Sequence, residues 1–344
     1  MLWAILSLNA CKEIEENALP APQRIVNGEV HPVDYILRNL TLSPDGTVLG
    51  SYGRKLYRIV DNGEQTELIY ELPEIIQGIH VTQTGEALVS TDNDVKSVDH
   101  LCRIYLSDMG MQQFSLTKTI RSGSAIWWSM ASNKSGDYFI GEYGPRDHKN
   151  TNTVWKFDKQ KADWKAVFTA PQAKHTHIHR VAVDPFIDDV WISIGDGPQS
   201  RGVYRSTDNG DTWEQLLDSQ ATAVAFTREA IYWGEDTARP GVITRYDRAA
   251  GKFKGVFDAA DHGPYGGSIY DMTVGADGLV YAVTMKYADQ NHVATLWKGR
   301  DDAWQLIMEF ESKAGEPVDV STIAGPDKNG WIYVKGYKIR DENL

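Results

Sequence analysis

The chain repeats one pattern, in which two short apolar strands are joined by a tight polar turn. Seven such hairpins follow one another at spacings of roughly 40 to 50 residues. Most of the turns contain glycine, asparagine or aspartate, the residues that tolerate the backbone angles of tight turns. The turns are Pro44-Asp45-Gly46, Gln83-Thr84-Gly85, Lys134-Ser135-Gly136, residues 184–189, Thr227-Arg228-Glu229, Ala276-Asp277-Gly278 and Asp327-Lys328-Asn329-Gly330.

A third strand with a central aromatic residue follows most of these hairpins. A period of this length, with four short strands in each repeat, is typical of the blades of a β-propeller. We therefore predict an all-β protein, a β-propeller most readily divided into seven four-stranded blades. The aromatic residues are Tyr57, Tyr105, Trp155, Tyr204, Tyr246 and Trp297.

The two ends of the chain are expected to share one blade. The last repeat has room for two strands and a short third before Leu344, whereas residues 24–33 have strand character without a hairpin partner. Pairing them would remove exposed sheet edges. We predict that an N-terminal strand closes the last blade and that residues 23–344 form one propeller domain. Six blades are the alternative if the terminal hairpin packs elsewhere.

The N-terminus resembles the leader of a bacterial lipoprotein. Cys11 ends the sequence Leu8-Asn9-Ala10-Cys11 after a short apolar run, and Lys12-Glu13 resembles the acidic export tag of Bacteroidetes lipoproteins. The run is short for a signal peptide and no basic residue precedes it. The resemblance implies that residues 1–22 are a signal and tether, with a lipid anchor at Cys11 on the cell surface or in the periplasm. An ordinary apolar N-terminus is the alternative.

The net charge of −12 limits the classes of partner. An acidic protein is repelled by nucleic-acid backbones and by anionic membrane surfaces, so we expect neither, apart from membrane attachment through Cys11. A local basic patch could still bind an anionic glycan. Apart from Cys11, Cys102 is the only cysteine, so a disulfide framework is not expected.

One turn matches a known structural motif. The pattern Ser206-x-Asp208-x-Gly210-x-x-Trp213 is that of an Asp-box, in which the carboxylate caps a tight turn and the tryptophan packs between sheets. The chain thereby resembles the sialidase-like propellers with BNR repeats. This resemblance implies a propeller fold and a structural role for Asp208. A true sialidase is not expected, because Arg24-Ile25-Val26 lacks the proline of the sialidase motif and no arginine triad is evident.

Side chains suited to sugar binding recur where first strands begin and second strands end, which is one face of a propeller. Aromatic rings stack on sugars, while charged groups and amides bind hydroxyls and carboxylates. Glu142, Asp196 and Asp236 could instead cap turns, and at least one of Trp127 and Trp128 should lie in the core. The predicted catalytic residues are His177, His179, Tyr143, Arg146 and Glu142, and the predicted substrate-binding residues are Arg180, His148, Trp128, Asp196, Glu235, Asp236, Lys286 and Tyr287.

Three histidines alternate in the run His175-Thr176-His177-Ile178-His179. Side chains two apart in a strand share a face, so the three imidazoles should point the same way. Two or three of them, with His80 or a nearby carboxylate, could bind a divalent ion such as zinc, manganese or calcium. Spacing alone establishes no cofactor, and one histidine could instead act as a general base.

The function predicted from these residues is cleavage of a polysaccharide, with a uronate-containing glycan as the favoured substrate. Lyase chemistry would use His177 or His179 as the base, Arg146, Arg180 or a metal to neutralise the uronate carboxylate, and Tyr143 or Tyr287 as the acid. Hydrolase chemistry would draw two carboxylates from Glu142, Asp196, Glu235 and Asp236. The alternative is a propeller that binds a glycan or a protein without catalysis.

Overall fold

The computed structural model describes eleven segments of the chain. They contain strands and three short 3-10 helices, at Asp61–Gly63, Trp127–Ser129 and Ala259–His262. Within them, no helix has the length and apolar character needed to cross a membrane. The segments are 3–7, 29–33, 37–92, 101–121, 124–143, 152–171, 176–196, 201–236, 241–285, 293–310 and 319–337.

The strands form seven four-stranded antiparallel sheets, which confirms the predicted all-β propeller. Six sheets each use four consecutive strands. The chain starts with β1 (Trp3–Ser7) and β2 (Glu29–Val33). The next sixteen strands form four sheets. The first two sheets are β3 (Arg38–Leu42), β4 (Val48–Tyr52), β5 (Lys55–Val60) and β6 (Gln65–Glu71), followed by β7 (Ile75–Val81), β8 (Ala87–Asp92), β9 (Leu101–Ser107) and β10 (Phe114–Arg121). The other two are β11 (Met130–Ser132), β12 (Tyr138–Gly141), β13 (Thr153–Asp158) and β14 (Asp163–Thr169), followed by β15 (His177–Val183), β16 (Val190–Gly195), β17 (Gly202–Ser206) and β18 (Glu214–Leu217).

The remaining strands follow the same hairpin order. They are β19 (Ala221–Phe226), β20 (Ala230–Glu235), β21 (Val242–Asp247) and β22 (Lys252–Asp258); β23 (Ile269–Val274), β24 (Val280–Thr284), β25 (Ala294–Arg300) and β26 (Ala303–Phe310); and finally β27 (Asp319–Ala324) and β28 (Trp331–Tyr337).

The seventh sheet joins the two ends of the chain in the order β2-β1-β28-β27. The choice between six and seven blades depends on this sheet. We expected the N-terminal partner to come from residues 24–33, and β2 lies there, but the strand that pairs directly with β28 is β1. The apolar residues Trp3–Ser7, assigned above to a leader, therefore occupy the middle of this sheet.

The hairpin turns have the backbone geometry that their glycines predict. Gly46, Gly85, Gly136, Gly278 and Gly330 all have positive φ, from 74° to 87°. A Cβ is disfavoured in this region, so the glycine allows the strand to reverse tightly. In the turn at 184–189, Asp188 takes this conformation with φ 69°.

The position of a strand in its sheet decides its burial. The second strands are buried along both faces, as β16 and β24 are, which accounts for their nearly continuous apolar sequences. The fourth strands, such as β14, alternate between exposed and half-buried residues. Trp191 and Trp233, both on second strands, are among the largest fully buried side chains.

The chain divides into two compact units. One contains residues 41–59 and 66–221, and the other contains residues 1–40, 60–65 and 222–344. In the first unit, apolar clusters fill the spaces between successive sheets from β3–β6 to β15–β18. In the second, similar clusters lie between β19–β22 and β23–β26 and between β23–β26 and the terminal sheet.

Candidate functional site

A β-bulge places His179 out of the regular ladder between β15 and β16. His177 pairs with Gly195 and Ile178 with Ile194, but the next pair is Arg180 with Ser193, so His179 has no partner opposite it. Residues paired across strands share a face. Simple alternation would put Arg180 on the face opposite to His177, whereas the bulge returns it to the same face.

The imidazoles of His177 and His179 meet next to a carboxylate. The two Nε2 atoms are 3.0 Å apart. The Nε2 of His179 lies 3.3 Å from Oδ1 of Asp196, and the Nε2 of His177 lies 3.5 Å from Oδ2 of the same residue. The predicted convergence of His177 and His179 is thus observed, and Asp196 rather than His80 completes the group among the described residues. We call these three residues the His-Asp cluster.

The cluster is deeply buried and sterically restricted. His177 and His179 are 3% and 2% exposed. The ring of His179 lies against the backbone of Gly195, so closely that a Cβ at this position would collide with its Cε1 atom. The Nδ1 atom of His179 has no hydrogen-bond partner within the described segments. Packing against Gly195, rather than a hydrogen bond to Nδ1, therefore fixes the orientation of this ring.

Asp196 is held in an unusual backbone conformation. Its φ is 83°, which costs an L-residue about 1–3 kcal/mol. The side chain of Gln220 donates a 3.0 Å hydrogen bond from Nε2 to Oδ1 of Asp196. Together these features direct the carboxylate toward the two imidazoles. The sequence did not identify Gln220 or Gly195 as part of the site. No pattern around either residue indicates that Gln220 contacts Asp196 or that Gly195 contacts His179.

Acids at the ends of second strands recur as hydrogen-bond acceptors. Each accepts from a polar side chain that lies one to three residues ahead of the next sheet's first strand or its 3-10 helix, which links the strand end to the segment leading into that sheet. These pairs are Ser124–Asp92 at 3.0 Å, Gln220–Asp196 at 3.0 Å and Ser268–Asp236 at 2.5 Å. The turn-capping alternative considered for Asp196 and Asp236 thus becomes a bridging role, to which Asp196 adds its contacts with the histidines.

Aromatic residues extend from the His-Asp cluster along one side. The ring of Tyr143 packs on His177 with centroids 4.3 Å apart. Trp128 contacts Tyr143 edge-on at 5.7 Å, and Trp127 contacts Trp128 at 4.2 Å. Trp128 is 8% exposed, which confirms that at least one of the two tryptophans lies in the core. Tyr143 is therefore the aromatic residue in contact with the cluster, and Trp128 supports it.

Glu142 belongs to a different environment. Its Oε1 accepts a 2.8 Å hydrogen bond from Nε1 of Trp155, and its Oε2 accepts one of 3.4 Å from the backbone N–H of Thr153. Burial raises the pKa of Glu142, an effect that these hydrogen bonds and the charge of Lys118 offset in part. The structure does not bring Glu142 into the His-Asp cluster, because successive residues at a strand end face opposite sides.

Two predicted acids and His80 have hydrogen-bond partners of their own. Asp236 accepts hydrogen bonds from Ser268 and Tyr270, and Glu235 accepts one from Thr244, all within the other compact unit. His80 donates to or accepts from Ser132 at 2.8 Å, and burial lowers its pKa from 6.5 to about 4. Among the described residues, His80 does not belong to the group formed by His177, His179 and Asp196, and its imidazole bonds instead to a residue of β11.

Five predicted site residues fall outside the described segments, and their predictions stay untested. The same holds for Cys11 and the proposed lipid anchor. The five are Arg146, His148, His175, Lys286 and Tyr287.

The turn at residues 206–213, which carries the sequence pattern of an Asp-box, is held by hydrogen bonds of its own. Asp208 accepts hydrogen bonds from the hydroxyl and backbone N–H of Thr212 and from the hydroxyl of Ser206, which lower its pKa to about 2. Asn209 exchanges side-chain hydrogen bonds of 2.8 and 2.9 Å with Asn133 and Asp137 of the preceding sheet. The motif therefore fastens two sheets and takes no part in the His-Asp cluster.

Comparisons with known proteins show the fold and no family. No family model matches the chain. Calmodulin-binding protein 60 B of Arabidopsis thaliana is 19% identical over 240 residues, which is 67% of this chain but 32% of that protein. The chain thus spans about a third of the length of this curated relative.

Solved structures with a similar fold come from proteins of diverse roles. The extracellular domain of a hybrid two-component system from B. thetaiotaomicron has a TM-score of 0.60 and 12% identity, over 88% of this chain and 37% of that one. A chain of the mitotic checkpoint complex gives 0.59 and 12%, over 96% and 95%. TolB from Acinetobacter baumannii gives 0.51 and 10%, over 88% and 64%. These likenesses show that the chain shares the propeller fold, and fold alone does not determine function.

Proposed function

We propose that the protein is a carbohydrate-active propeller that cleaves a uronate-containing polysaccharide by elimination. The observation that carries this proposal is the convergence of His177, His179 and Asp196 beside the ring of Tyr143. Arg180 occupies the same face of the hairpin through the bulge at His179. β-Elimination from a uronate requires a positive charge facing the carboxylate, a base and an acid, and these are the chemistries that an arginine, a bound metal ion, imidazoles and a phenol can supply.

The reaction assigns a separate task to each group. A base removes the proton from the carbon beside the uronate carboxylate, a carbon–carbon double bond forms, and the glycosidic oxygen leaves with a proton from an acid. Negative charge builds up on the carboxylate, so positive charge must face it. We assign that task to Arg180 and, where it holds a divalent cation, to the His-Asp cluster. Tyr143 at the edge of the cluster is assigned both proton transfers, from the carbon and to the leaving oxygen.

Elimination is favoured over hydrolysis by the placement of the acids. A hydrolase needs two carboxylates flanking the scissile bond, about 5 to 10 Å apart. Glu142 is occupied by Trp155 and Thr153, and Asp236 by Ser268 and Tyr270. Asp196 contacts both histidines and Gln220. Glu235, the fourth predicted acid, accepts a hydrogen bond from Thr244. All four carboxylates are thus engaged by protein groups, which supports elimination over a hydrolytic pair.

A non-catalytic propeller is the second candidate, and one observation favours it. His177 and His179 are 3% and 2% exposed, a burial that also suits a purely structural site. In that case the protein would bind a glycan or a protein partner on another surface and turn over nothing.

The test is an assay of the purified chain on a panel of uronate polysaccharides. We expect unsaturated products, detected by ultraviolet absorbance, and their loss by at least about 100-fold in Tyr143→Phe. Tyr52→Phe is the matched control, since Tyr52 is 58% exposed and in the same unit. Reducing ends without unsaturation would indicate hydrolysis, and no product across the panel would favour the non-catalytic candidate.

We also propose an extracytoplasmic location with a lipid anchor at Cys11. The support is the lipobox resemblance, together with the extracellular domain among the similar folds. Cleavage before Cys11 would remove β1 from its sheet, so the anchored protein would lack this strand. Metabolic labelling with palmitate in a bacterial host should mark the wild type and not Cys11→Ser. Equal labelling, or none in either, would contradict the anchor.

A further inference from the structure

We propose that the His-Asp cluster binds one divalent first-row transition metal ion, of the zinc or manganese class. The metal binding itself is independent of the substrate, whereas its role in neutralising a uronate carboxylate rests on the proposed function.

The distances between the donor atoms fit a single ion. Ligand atoms about 2.0–2.1 Å from a zinc ion at tetrahedral angles lie about 3.3 Å from one another. The donors here are separated by 3.0 Å between the imidazoles, 3.3 Å from His179 to Asp196 and 3.5 Å from His177 to Asp196. The two last distances involve different carboxylate oxygens, so either oxygen or both could reach the ion.

The chemistry of the donors selects the class of metal. Calcium and magnesium prefer oxygen ligands, whereas imidazole nitrogens suit zinc, manganese and their neighbours. Two neutral imidazoles and one carboxylate leave a net charge of about +1 on a site with a divalent ion. Three protein ligands also leave at least one coordination position open, as in catalytic zinc sites. A substrate carboxylate is the complementary ligand for such a centre.

The surroundings of the cluster hold the donors in place without the ion. The bulge turns His179 toward His177, Gly195 leaves room for the His179 ring, and Gln220 orients the Asp196 carboxylate. Such supporting contacts typically contribute 10–100-fold to metal affinity. Gln220 is thus a positioning residue for the proposed ligand Asp196.

The arrangement also predicts a change of tautomer. Without an ion, two neutral imidazoles with Nε2 atoms 3.0 Å apart need one Nε2–H to donate to the other ring. Coordination through both Nε2 atoms requires the donating ring to move its proton to Nδ1, where the accepting ring already carries one. Imidazole nitrogen NMR therefore distinguishes a bound ion from a simple histidine pair.

The experiment uses the full chain, purified without a histidine tag and treated with EDTA. Titration calorimetry with zinc, manganese and calcium chloride should show one site per chain for zinc or manganese, and none for calcium. We expect His179→Ala and Asp196→Asn to weaken binding by at least about 100-fold and Gln220→Ala by about 10-fold. His80→Gln is the control histidine and should bind as the wild type does.

The outcomes separate this inference from the proposed function. Any of four results would overturn the proposed metal site. They are the absence of a one-to-one site, an affinity that is unchanged in Asp196→Asn, an equal affinity for calcium, and no shift to Nδ1–H tautomers. Should His179→Ala fail to fold, Asp196→Asn and the NMR titration still decide. Metal binding without product from any uronate glycan would support the metal site and contradict the proposed lyase function. Full activity after EDTA treatment would support the lyase and show that the metal is not needed for catalysis.

Discussion

The imidazole of His179 rests directly on Gly195, where a methyl group would overlap the ring. Gly195→Ala should therefore displace the ring, destabilise the fold by about 1–3 kcal/mol and abolish metal binding through His179. Calorimetric titration with zinc and a denaturant melt measure both effects. Gly255→Ala is the control, since a Cβ there meets nothing within 4 Å. Unchanged zinc affinity in Gly195→Ala would contradict the contact.

Glu142 discriminates between elimination and hydrolysis. Its carboxyl is bound to the indole of Trp155 and its pKa is raised by burial, with its hydrogen bonds opposing that shift. Glu142→Gln keeps an oxygen acceptor for Trp155 and removes the buried charge. We expect kcat to change by less than about threefold and the free energy of unfolding by about 1 kcal/mol or less. A loss of activity of 100-fold or more would make Glu142 a catalytic acid.

His80 makes the stability of the fold dependent on pH. Burial lowers its folded-state pKa from 6.5 to about 4, so the folded protein keeps the ring neutral while the unfolded chain takes up a proton. The stability is fully present above pH 6.5 and is lost as the pH falls toward 4. Because the ring is not wholly buried, we expect a loss of about 1–2 kcal/mol, smaller than the full shift would give.

Urea denaturation of the wild type and His80→Gln at about pH 7 and pH 4.5 checks this dependence. Glutamine can retain a hydrogen bond to Ser132 but does not titrate. The difference in unfolding free energy between the two proteins should therefore shift in favour of the variant at the lower pH. A difference that is the same at both pH values would show that His80 is accessible to protons in the folded state.

The Asp-box turn should contribute to stability and not to the site. Asn209 has φ 62° and bonds to Asn133 and Asp137. Asn209→Gly keeps the backbone conformation and removes the hydrogen bonds, with an expected loss of about 1–3 kcal/mol. Asn209→Ala adds the cost of a positive φ, about 1 kcal/mol more. Thermal unfolding measures both, and zinc affinity should remain unchanged. Equal stability of the two variants would contradict the expected cost of placing alanine at a positive φ.

The periodicity of the sequence was sufficient to predict the propeller fold, because the pattern of strands and turns within each repeat is set by residues close together in the chain. The recurring turns specify hairpins, and Gly85 and Gly136 adopt the positive φ that such turns need. The apolar second strands then require cover on both faces, which stacked sheets provide. The alternation of His177 and His179 likewise predicted their shared face. The predicted closure of the last blade by the N-terminus is confirmed, but β1 at Trp3–Ser7 supplies the strand next to β28, because an apolar run of this length suits a leader and a strand equally.

The composition of the site was decided by tertiary structure. Alternation could not predict the bulge at His179, because a bulge depends on how β15 and β16 pair, and it is this irregularity that brings Arg180 to the histidine face. Asp196 and Gln220 are far from His177 in sequence, so only the folded chain brings them together. The sequence by itself determined the strands, their turns and the chemistry of the side chains, since these depend on neighbours in the chain. Which side chains meet depends on register and on the contact between sheets, and these are properties of the folded molecule.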